Sequence, residues 1–395
     1  MAVRNDGPVL LMALLFCIYT LTNSGGFHIV DEVSIFAVTE SLALRRAEDT
    51  NAIAWTQFVN SPGEVLGAFG PDGQVYSKKG PAPSFVALPW YWLWRGVARL
   101  GVAIPFVQVT LLWNGVITAL TAGLLWCMAR AMGYTEKAGA ALALLFGVCT
   151  IAWPYANHFF GEPLSALGLL LCFYGLYQWR VHNQWRWLWL AGGQRGAGFG
   201  HRGSTHSFNR RAWYVLAADF ARTEAAVSSG IHTANLAANS PLDLDASDAL
   251  SAAGDWRWAA AHGPIICCAL VICWIRAIIS MQARVLRRPG AAGLWGLLGS
   301  PYRGLFWHTP LFAATLVAFP FFGQRHRLEA FIIALLSVVL IGLYSKWWMW
   351  WGGFAWGPRF LVPLAPLWVL PLAECMNPPC ASAICTCGLD GSSLL

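Results

Sequence analysis

Four short stretches of this chain combine acids, cations and ring side chains where long apolar runs stop. They are Asp31-Glu32, Tyr76-Ser77-Lys78-Lys79-Gly80-Pro81, His158 to Glu162, and Trp350 to Arg359. Asp31 and Glu32 are carboxylates able to take a proton from a hydroxyl. Lys78 and Lys79 offer point charges for a phosphate, while Arg303 and Arg359 offer guanidiniums that grip one bidentately. Glu162 is a second acid, His158 and Tyr76 are candidates for orienting a substrate, and Trp356 has a flat face that suits a sugar ring. A base plus cations for a departing phosphate is the chemistry of group transfer from a phosphate-linked carrier. Each stretch also has a plainer explanation. Acids favour helix N-termini, with Pro163 suiting the first turn after Glu162. Lysines at headgroup depth keep their ammonium wet, and aromatics form interfacial belts.

The elements that must position these residues are apolar. Of 395 residues, 57% are hydrophobic and 11% charged. Soluble domains carry about 25% charged residues, and the mean hydropathy of +0.51 points the same way, to a lipid-solvated chain. The net charge of +7 is spread out, with no basic cluster long enough to track a nucleic-acid backbone. It reads instead as cytoplasmic loop bias and contact with the lipid bilayer. Cys17, Cys127, Cys149, Cys172, Cys267, Cys268 and Cys273 lie inside apolar runs, where buried cysteine behaves as a small hydrophobe. Cys375, Cys380, Cys385 and Cys387 cluster without a zinc-ligand spacing. No metal ligand is assigned, a divalent metal has no supporting pattern, and no cofactor can be read. P-loop, dinucleotide-binding and HExxH patterns are missing from suitable contexts, which argues against a nucleotide-dependent enzyme. Val9–Leu21 lacks a clean cleavage site and reads as an uncleaved first helix with its N-terminus in the cytoplasm.

Expected membrane helices are Val9–Asn23, Ile104–Met128, Ala138–Ala156, Pro163–Trp179, Pro264–Ser280 (broken by Arg276), Leu305–Gln324, Ala330–Ser345 and the proline-rich Phe360–Ala373. A further helix is expected to start at the Asp31-Glu32 pair and end near Arg45. The Trp-rich Ser84–Leu100 is read as interfacial. Arg130, Lys137, Arg180 and Arg186, and later Arg325 and Arg327, then all fall inside. The outer face collects Asp31, Glu32, Tyr76, Lys78, Lys79, His158, Glu162, Arg303, His308 and Arg359. The fold class is therefore all-α, a polytopic transmembrane helical protein with interfacial helices in its first extracytoplasmic loop.

The chain divides into an N-terminal transmembrane region, 1–190, with first outer loop 24–103; a polar segment, 191–263; a C-terminal transmembrane region, 264–374; and a tail, 375–395. The Gly/Ser/Ala/Asp-rich stretch 192–263 lacks helical or strand periodicity. It leaves Arg284, Arg287 and Arg288 on the wrong side, as expected if part of it translates a wrong reading frame in place of membrane helices. Neighbouring-frame translation of the gene tests this. Two other readings remain open: a transporter or flippase binding with the same charges, and an inactive product of a disrupted gene.

With these residues in view, the chain resembles the GT-C membrane glycosyltransferases, particularly the protein mannosyltransferase and lipid A aminoarabinose transferase branch. The carrying features are Asp31-Glu32 after the first helix, Tyr76-x-Lys78-x-x-Pro81 before the Trp-rich segment, and Glu162-Pro163. SPYRGLFWHTP (Ser300–Pro310) and WWGGFAWGPRFLVPLAP (Trp350–Pro366) look like phrases of bacterial members. Coverage is roughly 8–190 and 294–373. The resemblance implies a GT-C-like fold in a bacterial inner membrane with its active face extracytoplasmic. It implies a polyprenyl-phosphate sugar donor, inversion at the anomeric carbon, and a glycolipid, glycan or protein acceptor. Asp31 then matches the catalytic base, Lys78 the lysine on the donor phosphate, and Glu162 the second acid. Arg303 and Arg359 are added from charge and placement, and 192–263 departs from the family pattern.

Overall fold

In the computed structural model, residues 6–54, 56, 67–184, 186–187, 290–347 and 349–376 are described. They belong to one of two units, which takes in Met1–Gly200 and Pro289–Leu395; the other, His201–Arg288, lies outside the described residues. The expected Pro264–Ser280 helix, the reading-frame hypothesis for 192–263 and the tail beyond Met376 fall outside them too.

Apolar runs satisfy their backbone groups internally as helices, and the protein is mostly helical. Helix α1 is Gly7–Thr22, α2 Val30–Arg45 and α3 Asn51–Ala54. A hairpin follows, β1 (Ala68–Phe69) paired antiparallel with β2 (Val75–Tyr76). Then come α4 (Ala82–Ala98), α5 (Phe106–Ala131), α6 (Glu136–Cys149), α7 (Ala152–Ala156) and α8 (Glu162–His182). The later part holds α9 (Gly290–Leu298), α10 (Leu305–His308), α11 (Leu311–Arg325) and α12 (Arg327–Lys346). It closes with a 3-10 turn (Arg359–Leu364), α13 (Ala365–Val369) and a second 3-10 turn (Leu370–Met376). The hairpin, with an isolated antiparallel bridge from Asp49 to Tyr76, departs from the all-α expectation.

Helix α5 is central, packed by α1, α6 and α8. Leu15 and Tyr19 of α1 are buried there, and the Tyr19 hydroxyl donates to the Gly147 carbonyl at 3.0 Å. Among the described residues three segments are long and apolar enough to cross a membrane: Phe106–Ala131, Arg327–Lys346 and Arg359–Met376. Helix α1, at 16 residues, spans about 24 Å against a hydrocarbon core of about 30 Å. Outward faces are apolar: Phe331, Leu335 and Val338 form an exposed stripe on α12, at the i, i+4, i+7 spacing of one helix face. Cys17, Cys127 and Cys149 are exposed and Cys172 half-buried, which corrects the expectation of burial for these four; Cys267, Cys268 and Cys273 lie outside the described residues.

Two expected spans are interrupted. Ala138–Ala156 breaks at Thr150, which is extended (φ −122°, ψ 172°). Its hydroxyl turns back to the Phe146 carbonyl at 2.6 Å, the local bonding by which Thr competes with helix. Leu305–Gln324 breaks at Thr309, because a residue before proline is pushed out of the helical region. The breaks support each other: the Ile151 N–H donates to the Thr309 hydroxyl at 3.1 Å. In the last segment Pro363, Pro366 and Pro371 remove donors, and the helix tightens into 3-10 turns at both ends.

Helix α4 confirms an amphipathic Trp-rich element, burying Ser84, Ala87, Leu88 and Tyr91 while Trp92 and Leu93 face out. The hairpin before it turns at Asp72-Gly73, with Gly73 at φ 77°, where glycine is at ease. It docks on the start of α3 through Thr50 N–H to the Val75 carbonyl (2.7 Å) and Val75 N–H to Asn51 Oδ1 (2.9 Å).

Charged residues gather at two opposite ends of the helices. At one end Arg180 of α8 pairs with Glu329 of α12. The Tyr134 hydroxyl donates to Glu374 Oε1 at 2.5 Å, and Arg325 lies 3.9 Å from Glu374. Burial, and then Glu374, push the Tyr134 hydroxyl well above its ordinary pKa. The other end has the N-terminus of α8 and the start of the last segment, where Glu162 meets Arg359.

Helices α9 and α12 approach backbone to backbone. A Cβ on Gly293 would lie 1.8 Å from the Ser345 carbonyl oxygen, whereas one on Gly342 would meet nothing within 4 Å. Gly293→Ala is expected to force the two helices apart and cost about 1–3 kcal/mol or more, as overpacking does. Thermal melting in detergent should show the loss, with Gly342→Ala unchanged.

Candidate active site

Ile29 is extended (φ −140°, ψ 147°), so α2 begins abruptly and puts Asp31 and Glu32 in its first turn. Consecutive helical residues point about 100° apart, and these two carboxylates serve different partners. Asp31 Oδ2 lies 2.8 Å from Lys79 Nζ and 2.8 Å from an Arg359 terminal nitrogen. Arg359 Nε pairs with Glu162 Oε1. The Arg359 guanidinium is buried over the Phe160 ring, 4.3 Å from its centroid. Lys79, Asp31, Arg359 and Glu162 thus form one charge-balanced chain drawn from four distant segments. Burial alone would raise the Asp31 pKa, but Lys79 and then Arg359 outweigh it and hold the carboxyl below its usual range.

Glu32 is fully buried and turns to the neighbouring loops. Its Oε2 accepts the His28 backbone N–H at 2.7 Å, and its Oε1 lies 2.6 Å from His158 Nδ1. The His28 and His158 rings meet edge to face, 4.6 Å between centroids. His28, Glu32 and His158 each offer a donor atom, all within 4.8 Å of one another, so these are the described residues able to hold a metal ion. The loop carrying His158 is pinned by Asn114 of α5, whose amide donates to the His158 and Phe160 carbonyls at 2.5 and 2.8 Å. Asn114 was not singled out in sequence; its signal is an amide in the middle of an apolar span.

No protein-family model, curated protein or solved structure matches the chain. The functional reading therefore stands on the cluster's own chemistry.

Other expected residues are placed differently. Lys79, not Lys78, reaches Asp31; Lys78 is exposed and makes no ion pair among the described residues. The chain bends here because the Lys79 N–H donates to Ser77 Oγ (3.0 Å), itself 3.0 Å from Ser34 Oγ on α2. Tyr76 turns away from the acids: its hydroxyl donates to Asp72 at 2.7 Å, and that bond pushes its pKa up to about 12. Arg303 is buried, with one nitrogen on the Gly353 carbonyl at 3.1 Å and its plane over Tyr302. Its Nε has no hydrogen-bond partner, and no carboxylate pairs with it among the described residues. Trp356 is half-exposed and packs edge to face on His308, 4.6 Å between centroids. Both line an open cleft of about 340 Å³ together with Trp153, Asn157 and Thr150. The Trp356 carbonyl accepts the Tyr155 hydroxyl at 2.8 Å, which ties this loop to α7.

The arrangement supplies an ionised carboxylate, two cations that share it, a buried guanidinium without an acid, and an aromatic-lined cleft.

Proposed function

We propose that the protein is a polytopic, GT-C-like membrane glycosyltransferase. It moves a sugar from a polyprenyl-phosphate donor to an acceptor hydroxyl, on the extracytoplasmic face and with inversion. The observation that carries this reading is the Asp31 carboxylate held between Lys79 and Arg359 at one end of a set of apolar helices. Three segments able to span a bilayer and the outward apolar stripe of α12 support a multi-pass membrane location. The position of the charges at helix ends supports transferase chemistry over transport, whose binding sites lie near the midplane.

In the reaction the acceptor oxygen forms a bond to the anomeric carbon while the bond from that carbon to the phosphate oxygen breaks. Asp31 takes the acceptor's proton, and the electron pair leaves on the phosphate. Lys79 and Arg303 meet the developing phosphate charge, the kind of stabilisation that is often the largest catalytic contribution. Arg359, tied to two acids, positions Asp31 rather than the donor. The arriving phosphate competes with Asp31 for Lys79. Losing that ammonium raises the basicity of Asp31, so donor binding itself prepares the base.

This has a pH signature. In the free protein Asp31 titrates below its ordinary value of about 3.9. Its contribution to stability is present above that value and lost as pH falls through the lowered one. With donor bound, the acid limb of kcat should lie at higher pH than the acid limb of kcat/KM, since the two report the bound and free states. Coincident limbs would mean that Lys79 does not leave Asp31.

The reading is tested with the purified full chain, a set of polyprenyl-phosphate sugars, and glycan, glycolipid and peptide acceptors. Release of polyprenyl phosphate coupled to acceptor glycosylation is expected. Absence of release with every donor would contradict it.

A further inference from the structure

The second carboxylate of the pair sits in a different environment from the first. Glu32 is fully buried, yet its carboxyl meets neither lysine nor arginine among the described residues; it faces two imidazoles, one with Nδ1 at 2.6 Å (His158) and one with Nδ1 at 3.9 Å (His28). Both rings are themselves oriented. His28 Nε2 is 3.0 Å from Ser24 Oγ, leaving its Nδ1 on the Glu32 side. His158 is set by the Asn114 clamp on its own carbonyl. Glu32 Oε2 is steadied by the His28 backbone N–H.

We infer that His28, Glu32 and His158 form a binding site for a first-row divalent cation, of which Zn²⁺ is the probe. Two imidazoles and one carboxylate are a borderline-soft donor set that suits zinc better than magnesium or calcium, which prefer all-oxygen cages. Zinc bonds of about 2.0–2.2 Å put tetrahedral ligand atoms about 3.3 Å apart. The three donors already lie within 4.8 Å of one another, so small side-chain rotations suffice. The Glu32–His158 contact opens and His28 closes in. The Ser24–His28 hydrogen bond is the outer-shell partner that orients a ligating imidazole. Access is from the His28 side, whose side chain is 43% exposed while that of Glu32 is fully buried. Three protein ligands leave a position for water or an oxygen of a bound molecule. The site does not depend on the glycosyl-transfer reading, because none of its three ligands is a member of the Lys79–Asp31–Arg359–Glu162 chain beside it.

The test uses full-length protein in detergent, stripped with chelator, dialysed, and titrated with Zn²⁺ by calorimetry and with Co²⁺ by visible absorption. One Zn²⁺ per chain is expected, with a Co²⁺ ligand-field band in the wild type. His28→Ala and His158→Ala should each weaken binding by at least about 100-fold, beyond the 10–100-fold of losing an outer-shell partner. His28→Asp, which restores a ligand at an exposed position, should recover binding. Circular dichroism checks that each variant is folded, and His28→Ala decides alone if His158→Ala unfolds. No stoichiometric binding by the wild type would overturn the site. So would binding undiminished in the alanine variants, or a loss in His28→Ala that His28→Asp does not restore.

Discussion

Asp31→Asn is expected to lower kcat for sugar transfer by about 10³-fold, within the 10²–10⁴ that a positioned general base contributes. Asparagine keeps the size of the side chain and an oxygen for Arg359, so the variant should fold and insert. It cannot take the acceptor's proton. The donor KM should stay level or fall, because Lys79, freed from Asp31, is available to phosphate. Lys79→Met should differ in raising the donor KM while it too lowers kcat. Turnover at the wild-type rate in Asp31→Asn would remove Asp31 from the mechanism.

Arg359→Gln is expected to be the most destabilising single change at this end of the molecule. Arg359 is buried and gives separate nitrogens to Asp31 and Glu162. The other Glu162 oxygen is buried and has no partner of its own. Removing one member of such a buried group leaves uncompensated charge and costs about 3–5 kcal/mol. Arg359→Lys should be intermediate, since one ammonium cannot reproduce the planar fork. Glu162→Gln added to Arg359→Gln should recover part of the loss, because the stranded acid is then gone. Thermal melting of helicity in detergent reads all three. A wild-type midpoint for Arg359→Gln would mean that the cluster does not hold the helix ends together.

Long apolar runs were legible because burial against protein or lipid demands them, and α5, α8 and α12 appear close to where hydropathy puts them. The start of α2 at the acidic pair and its end at Arg45 were legible for the same kind of reason, charge at a helix N-terminus. The breaks at Thr150 and Thr309 escape hydropathy, which runs straight through them: Pro310 marks the second locally, whereas the Ile151 N–H bond to the Thr309 hydroxyl, which ties the two together, spans 158 residues of sequence. That Asp31, Lys79, Glu162 and Arg359 belong together followed from side-of-membrane reasoning. Which of two adjacent lysines reaches Asp31 did not follow, because a short hairpin with two-residue strands and the Ser77 hydroxyl set that choice. His28 escaped notice for lack of a partner in sequence: it lies four residues before Glu32, but the second imidazole comes from position 158.

Sugar transfer from a polyprenyl phosphate on the outer face requires the Asp31 cluster to open to the outer compartment, with the Tyr134–Glu374 end in the cytoplasm. The most direct measurement is labelling of single cysteines, on a cysteine-free background in sealed cells, with a membrane-impermeant maleimide. Lys78→Cys and Phe354→Cys carry exposed positions near the cluster, and Gln184→Cys follows α8 at the opposite end. With the Asp31 cluster on the outer face, the first two label from outside and the third only after the membrane is opened. Labelling of Lys78→Cys and Phe354→Cys from opposite compartments, or of Gln184→Cys from the same side as both, would contradict it.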